Sequence, residues 1–453
     1  MTATVDQVRE RLIIHGTTEW VTVRRSYPVD LSQQRPLIVV YDQGAISPID
    51  ILQNVPVPLI AVLAESSHAR RMRPLFAEAC LAVYDLADRD VAAKLDSHGP
   101  AGVQTFSEPM LPATSALAEA LGLPFHDADV VAALTRKDMQ RQLLRDAGID
   151  RTTSLRLTDM REWDAAVARV GLPVVVKPAC GVGSRNTVLV DDLDAGRALV
   201  APILDEEGVL VIEEYLCGAA VPEPWGDYVS VETVVQHGDL QHLAVTGKLR
   251  LAPPFRECGQ FWPARMGAAE RAEVLALTDG AIKALGVASG ILHTEIKLTQ
   301  HGPRVIEVNG RVGGYIPELA RQAAGIDLVD IGARIACGED VEIPRVDPDR
   351  VHFQFTTPAP VEAGVVTAVC RAADLADVTG LVGYTPLVRR GDTVGGFGTR
   401  DLNLLSVDAA DHEALVPIID TIMDRTQFEF EFDGRPAVRS ARDLVYSAAE
   451  TAR

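Results

Sequence analysis

The chain changes its hydrophobic period along its length. In the first third, short apolar runs recur: LIVVY (37–41), LIAVL (59–63), LAVY (81–84) and GVQTF (102–106). Helical segments such as SHARRMRPLFAEAC and PATSALAEALG separate several of them. Apolar strands alternating with helices predict a parallel sheet covered on both faces. No GxGxxG follows the first strand, so a dinucleotide site there is unsupported. TRKDMQRQLLRDAG (135–148) predicts a helix capped by Thr135 and stopped by Gly148. LPVVVKPACGVGSRNTVLV (172–190) predicts strand, glycine-rich loop, strand, and VLVIEEYL (209–216) a further strand. Residues 228–249 predict a hairpin turning at HGD, and 270–286 a helix. IPELARQAAGIDLVDIGARIACG (316–338) predicts one helix, with Pro317 near its start and Gly338 as its cap. From about 346 the chain is strand-rich, with turns at RRGD and GGFG and a helix near DHEALVPIIDTIM.

One hairpin carries charge in an unusual place. In HTEIKLTQHGPRVIEVNGR (293–311), polar and apolar residues alternate on both sides of TQHGP. A loop over Thr299–Pro303 sets Leu298 opposite Arg304 and Glu295 opposite Glu307. Side chains alternate across a strand, so His293, Glu295 and Lys297 share a face with Glu307, Asn309 and Arg311. Thr294, Ile296, Leu298, Ile306 and Val308 are left for the core. Two opposed carboxylates repel each other. A magnesium ion shared with phosphate oxygens relieves that repulsion, with Asn309 as a neutral ligand. Neutralisation of a surface hairpin by Lys297 or Arg311 does so too, and a glycosidase also uses a carboxylate pair. The hairpin alone leaves these three open.

Composition narrows the classes. With 453 residues, 47% hydrophobic, the chain has material for two to four domains and a substantial core. The net charge of −20 argues against a general nucleic-acid or anionic-membrane binder. The six cysteines form no CxxC pair, so neither a disulfide framework nor a zinc site is signalled. MTATVDQVRERL lacks a signal-peptide core, and no apolar run reaches about 18 residues. A cytoplasmic chain with no membrane or nucleic-acid partner is expected.

Two further groups carry candidate chemistry. Lys177 ends an apolar strand before ACGVGSRNT, where Gly181 and Gly183, followed by Ser184, let backbone N–H groups approach phosphate oxygens. No GK[ST] closes this loop, so it is not a Walker motif, and a glycine-rich turn is the plain alternative. In VIEEYL, the paired acids Glu213 and Glu214 end a strand. Either they are a solvated strand end, or Glu213 and the Leu216 backbone hold a purine edge.

In this order, Lys137 on a helix, Lys177 before its loop, Glu213, Glu232, then Glu295, Glu307, Asn309 and Arg311 resemble the ATP-grasp superfamily over roughly 134–340. The E–x11–E–x–N–x–R spacing is the most specific part. HTEIKL, TFSEPMLPATSALAEALGLP, KLRLAPPFRECGQFWPARM and RVGGY are similar to bacterial L-amino-acid ligases of the bacilysin-synthetase type and related carboxylate–amine ligases. The resemblance implies a multidomain α/β and α+β fold. An N-terminal parallel-sheet domain spans 1–133. A two-lobed ATP-grasp core spans 134–345, with lobes about 134–205 and 206–345, and a small strand-rich C-terminal lobe spans 346–453. It implies ATP and magnesium, two ions, with manganese as an alternative. Lys137, Lys177 and the Gly181–Ser184 loop hold phosphates, and Glu213, Glu214 and Leu216 hold adenine. Glu232 lies near the ribose, with Lys248 its neighbour. Glu295, Glu307 and Asn309 bind metal, while Arg311 and the backbone at Gly314 stabilise the reacting oxygens. Glu108, His293, Tyr315 and Arg250 face the substrate. The implied reaction joins an amino acid to an amino acid or peptide, in a chain that can form a homodimer. A non-amino-acid amine acceptor is one alternative. A silent nucleotide-binding protein is another, and it predicts a damaged metal face.

Overall fold

The computed structural model describes residues 34–396, 398 and 400–446, with the backbone of two paired strands, Arg9–Ile14 and Thr17–Thr22. The segment MTATVDQV, on which part of the targeting expectation rests, lies outside the described residues. Among the described residues no helix is long and apolar enough to cross a membrane.

The apolar runs of the first third form four parallel strands, in the order Ala82–Asp85, Leu59–Leu63, Leu37–Tyr41, Gly102–Gln104. Leu37, Val39 and Leu59 pack to one side, and Ile38, Val40 and Ile60 to the other, so burial on both faces explains runs without polar alternation. The strand order reverses beside Leu37–Tyr41. Ligands of such sheets bind beyond the carboxyl ends of the strands at that reversal. Glu108 stands there, opening the short turn Glu108–Met110. The helix Leu328–Ala336 lies directly on this sheet: a Cβ at Gly102 would come 1.8 Å from the Ala336 carbonyl oxygen.

A small antiparallel sheet follows, ordered Ser154–Leu157, Leu210–Glu214, Val174–Pro178, Val188–Val190. Helices Trp163–Val170 and Leu193–Glu207 cover one face of it over Val174, Val176, Leu210 and Ile212. Alternation then sends Lys177 to the other face.

The third sheet has eight antiparallel strands: Gly302–Asn309, Gly290–Thr299, Trp225–Gln236, Asp239–Leu249, Gly259–Trp262, Val351–Pro358, Asp401–Ala409, Leu381–Pro386. Strands from both sides of residue 346 hydrogen-bond within it, since Gly259–Trp262 pairs with Val351–Pro358. Val229, Val231, Val245 and Ile296 face the helix Ala268–Ala284 through Val274. The opposite face carries Ser230, Glu232, Thr246 and His293, beside an apolar stretch with Ala244 and Trp262 that belongs to the core around Ile316 and Leu319. A third four-stranded sheet, Thr393–Val394, Gly364–Ala368, Gln427–Phe432, Arg435–Ser440, packs with helix His412–Arg425 around a shared apolar core.

Three expectations are corrected. Thr135 does not cap the helix after it. It ends the helix Ala128–Thr135, its hydroxyl donates back to the Val131 carbonyl, and the next helix runs Lys137–Asp146. Residues 316–338 are two helices, Ile316–Ala324 and Leu328–Ala336, because Gly325 ends the first in a left-handed conformation and Asp327 caps the second. The hairpin turn is tighter than expected: Thr299 pairs with Gly302, and Leu298 faces Pro303 rather than Arg304.

Candidate active site

That tighter turn moves the register by one residue, and a bulge moves it back. Ile296 faces Val305, Ile306 has no partner of its own, and beyond it Glu295 faces Glu307 and His293 faces Asn309. The opposed carboxylates are therefore present. Val305, fully buried, takes the core place expected of Ile306, which is half-buried. Arg141 holds the bulge by donating to the carbonyls of Val305 (2.6 Å) and Ile306 (2.8 Å).

Around this floor the cations are spoken for. Lys137 Nζ lies 2.8 Å from Glu307 Oε1 and donates to the Gly181 carbonyl at 2.8 Å, tying the glycine loop to the hairpin. Lys177 Nζ lies 2.8 Å from Glu213 Oε2, and Arg141 grips the same carboxylate at 2.8 and 3.1 Å. Arg304 joins Asp150 (3.3 Å) to Glu214 (3.1 Å). Burial pushes Glu213 up, but Arg141 and Lys177 outweigh it and hold the carboxyl at about 2. Burial pulls Lys137 down, and Glu307 and Glu108 raise it past its ordinary value. Leu216 is half-buried just past the strand Leu210–Glu214, and Ser184 has a positive φ of 51° in the glycine loop.

The other end of the floor is built differently. Arg311 Nε lies 3.3 Å from Glu108 Oε2, and its Nη2 donates to Asn309 Oδ1 at 3.4 Å. Burial pushes Glu108 up to about 7, with Arg311 offsetting only part of the effect. His293 Nδ1 lies 2.6 Å from Glu232 Oε1 and its Nε2 3.6 Å from Glu295. Burial pulls the imidazole down, but the Glu232 charge and hydrogen bond raise it to about 9. Burial likewise pushes Glu295 up, and the hydrogen bond and charge of His293 bring it to about 2. A Cβ at Gly313 would stand 2.4 Å from His293 Nδ1, whereas nothing lies within 4 Å of one at Gly314. Tyr315 donates its hydroxyl to Asp401 at 3.0 Å.

Glu232 lies across the ladder from His293 and pairs with its Nδ1. The sequence-predicted residues thus gather, with one departure. Arg250 stays apart, exposed and paired with Glu223 at 2.6 Å, because its strand has ended at Leu249. Lys248 is buried between Gln260 (3.1 Å) and Glu257 (3.3 Å).

Residues 156–315 match the ATP-grasp domain family. That segment of the chain resembles an ATP-grasp domain. Over 365 residues it is 25% identical to an uncharacterized protein of Sinorhizobium fredii, covering 74% of each chain. It is 23% identical to the alanine–anticapsin ligase of Bacillus subtilis over 266 residues, 54% of this chain and 56% of the relative, so the match spans about half of that enzyme. The solved L-amino acid ligase of Bacillus licheniformis superposes with a TM-score of 0.72 at 20% identity, covering 88% of this chain and 99% of that one. In sequence and fold the chain resembles the ATP-grasp C–N ligases, and its mixed α/β and α+β architecture is the one expected.

The donor set of this site fits a particular kind of ion. Among the described residues no group of three or more His, Cys, Asp or Glu gathers to hold a metal alone. Two opposed carboxylates and an amide, beside lysines, suit a hard cation that completes its shell with phosphate oxygens and water.

Arg141, Asp150 and Arg304 were not singled out from the sequence. Arg141 had a readable signal: it lies one turn beyond Lys137, and two cations on one helix face call for acids nearby.

Proposed function

We propose that this ATP-grasp chain is a carboxylate–amine ligase. It joins an amino acid to an amino acid or peptide through an acyl phosphate, releasing ADP and phosphate. The observation that carries the reading is the shared face on which Glu295 opposes Glu307, with Lys137 on one side and the Arg311–Glu108 pair on the other. The similarity to the alanine–anticapsin ligase and the L-amino acid ligase of the two Bacillus species supports it.

Lys137, Lys177 and the Gly181–Ser184 loop hold the ATP phosphates, while Glu213, Glu214 and Leu216 line the adenine side. Magnesium, as two ions or replaced by manganese, would be held by Glu295, Glu307 and Asn309 and would offset phosphate charge. A carboxylate is a poor electrophile, and phosphorylation turns one of its oxygens into a leaving group. Arg311 and the Gly314 backbone then face the oxyanion formed when the amine attacks the carbonyl carbon. Glu108, held near neutrality, suits a group that exchanges a proton with the amine. His293 and Tyr315 shape the substrate side. The glycine loop closes over the phosphates and keeps water from the acyl phosphate. The division at 133/134 and 345/346, a cytoplasmic location and a homodimer belong to the same proposal.

The test is ADP and AMP release with magnesium and ATP, against amino acids offered singly and in pairs. ADP formed only with particular pairs, and lost in Glu307→Ala, supports the ligase. AMP in its place overturns the acyl-phosphate route, and turnover only with a simple amine moves the acceptor out of the amino acids.

A further inference from the structure

The turn from Arg311 to Tyr315 is held from behind. Tyr315, a bulky non-glycine residue, has a φ of 59° immediately before the helix Ile316–Ala324. Left-handed backbone at such a residue persists only where its surroundings over-determine it. Two strands of the large sheet supply the restraint. From Gly259–Trp262, Gln260 Nε2 donates to the Gly314 carbonyl at 3.0 Å. From Asp401–Ala409, Asp401 Oδ2 accepts the Tyr315 hydroxyl at 3.0 Å. Gln260 is itself fixed: its Oε1 accepts from Lys248 at 3.1 Å, and its Nε2 also donates to Gln354 Oε1 at 2.9 Å. The front of the turn is open, with nothing within 4 Å of a Cβ at Gly314, and Arg311 points from its start toward Glu108.

We infer that Gln260 and Asp401 are positioning residues for amide formation, clamping Gly314 and Tyr315 so that Arg311 and the acceptor side of the site keep their geometry. This rests on the ligase reading. Without the clamp the turn relaxes toward ordinary φ, and the amine and acyl phosphate lose their alignment. Water then takes the amine's place, its oxygen attacks the acyl phosphate, and carboxylate and inorganic phosphate return while ADP has already left. The two steps are uncoupled.

The experiment measures ADP released per amide formed, KM for ATP, and amide hydrogen exchange at residues 313–316, in Asp401→Ala and Gln260→Ala. In both, the ratio is expected to rise from about one to about five or more, since small misplacements of reacting groups are costly in rate. KM for ATP stays within about twofold, and exchange in the turn quickens about tenfold or more. Asp401→Asn keeps an acceptor for the tyrosine hydroxyl and restores the ratio. If Asp401→Ala does not fold, Tyr315→Phe removes the same bond from the other side and is expected to uncouple likewise. ADP release with unchanged coupling, unchanged exchange in the turn, or a matching rise in KM for ATP overturns the clamp alone. No ADP from the wild type with any amino acid pair overturns the ligase reading and this inference with it.

Discussion

The two ends of the polar floor treat buried carboxylates in opposite ways. At the lysine end, every acid meets a cation: Glu213 is shared by Arg141 and Lys177, Glu307 meets Lys137, and Glu214 and Asp150 meet Arg304. There charge outweighs burial, and Glu213 stays ionised down to about pH 2. At the Arg311 end burial wins at Glu108 and Asp401, both pushed up to about 7, while Glu295, held by His293, is the exception. A site that binds a polyanion needs charges that never change. A site that moves a proton needs groups poised near the working pH. On the ligase reading proposed above, the difference separates a binding end from a reacting end of the same site.

The comparison can be broken most forcefully where the two ends meet. Glu307→Ala removes the residue that opposes Glu295 and pairs with Lys137. ADP release is expected to fall about 10³-fold, about 4 kcal/mol of transition-state stabilisation, in a steady-state coupled assay. Next, Arg141→Met leaves Glu213 and the bulge carbonyls short of a buried partner. Urea unfolding is expected to show a loss of about 3–5 kcal/mol, the usual result of removing one member of a buried ion pair. The reacting end should instead show itself in pH. Glu108, raised to about 7, keeps its proton when folded in a range where the unfolded chain releases it. Its contribution is therefore lost as pH rises from about 4.5 to about 7. His293, raised to about 9, stabilises fully below about 6.5, and that share is lost as pH passes through 9. The thermal midpoint of the ligand-free chain is expected to decline from about pH 5 to about pH 9. Glu108→Gln removes part of the lower half of that decline, the rest belonging to Asp401 and Glu318, which burial also raises to about 7, and His293→Asn removes the upper half. The smallest effect belongs to an exposed pair. Arg197→Ala, which frees Asp164 at the surface, should change unfolding free energy by no more than about 0.5 kcal/mol.

What could be read in advance followed from local periodicity. Alternation in HTEIKL and RVIEVN placed Glu295 against Glu307, and apolar runs between helices announced the parallel sheet. The pairing of the two glutamates emerged for a partly different reason, since a shorter turn and a bulge at Ile306 cancel. No local pattern shows a bulge whose carbonyl is held by an arginine 165 positions away. Asp401 and Gln260 were invisible for the same reason: their partners are set by strand order in the large sheet. The break at Gly325 was misread because an Asp two residues beyond a glycine signals a new cap only when the next turn also carries a core face.

The continuity of the large sheet across residue 346 bears on how this chain can be cut and recombined. Gly259–Trp262 is a four-residue strand whose second edge is completed by Val351–Pro358. Truncation after 345 would bare a hydrophobic edge carrying Phe261 and Trp262, a template for pairing with other chains. A chimaera that exchanges the terminal segment for a foreign one must therefore import a strand of matching register, not merely a compatible linker.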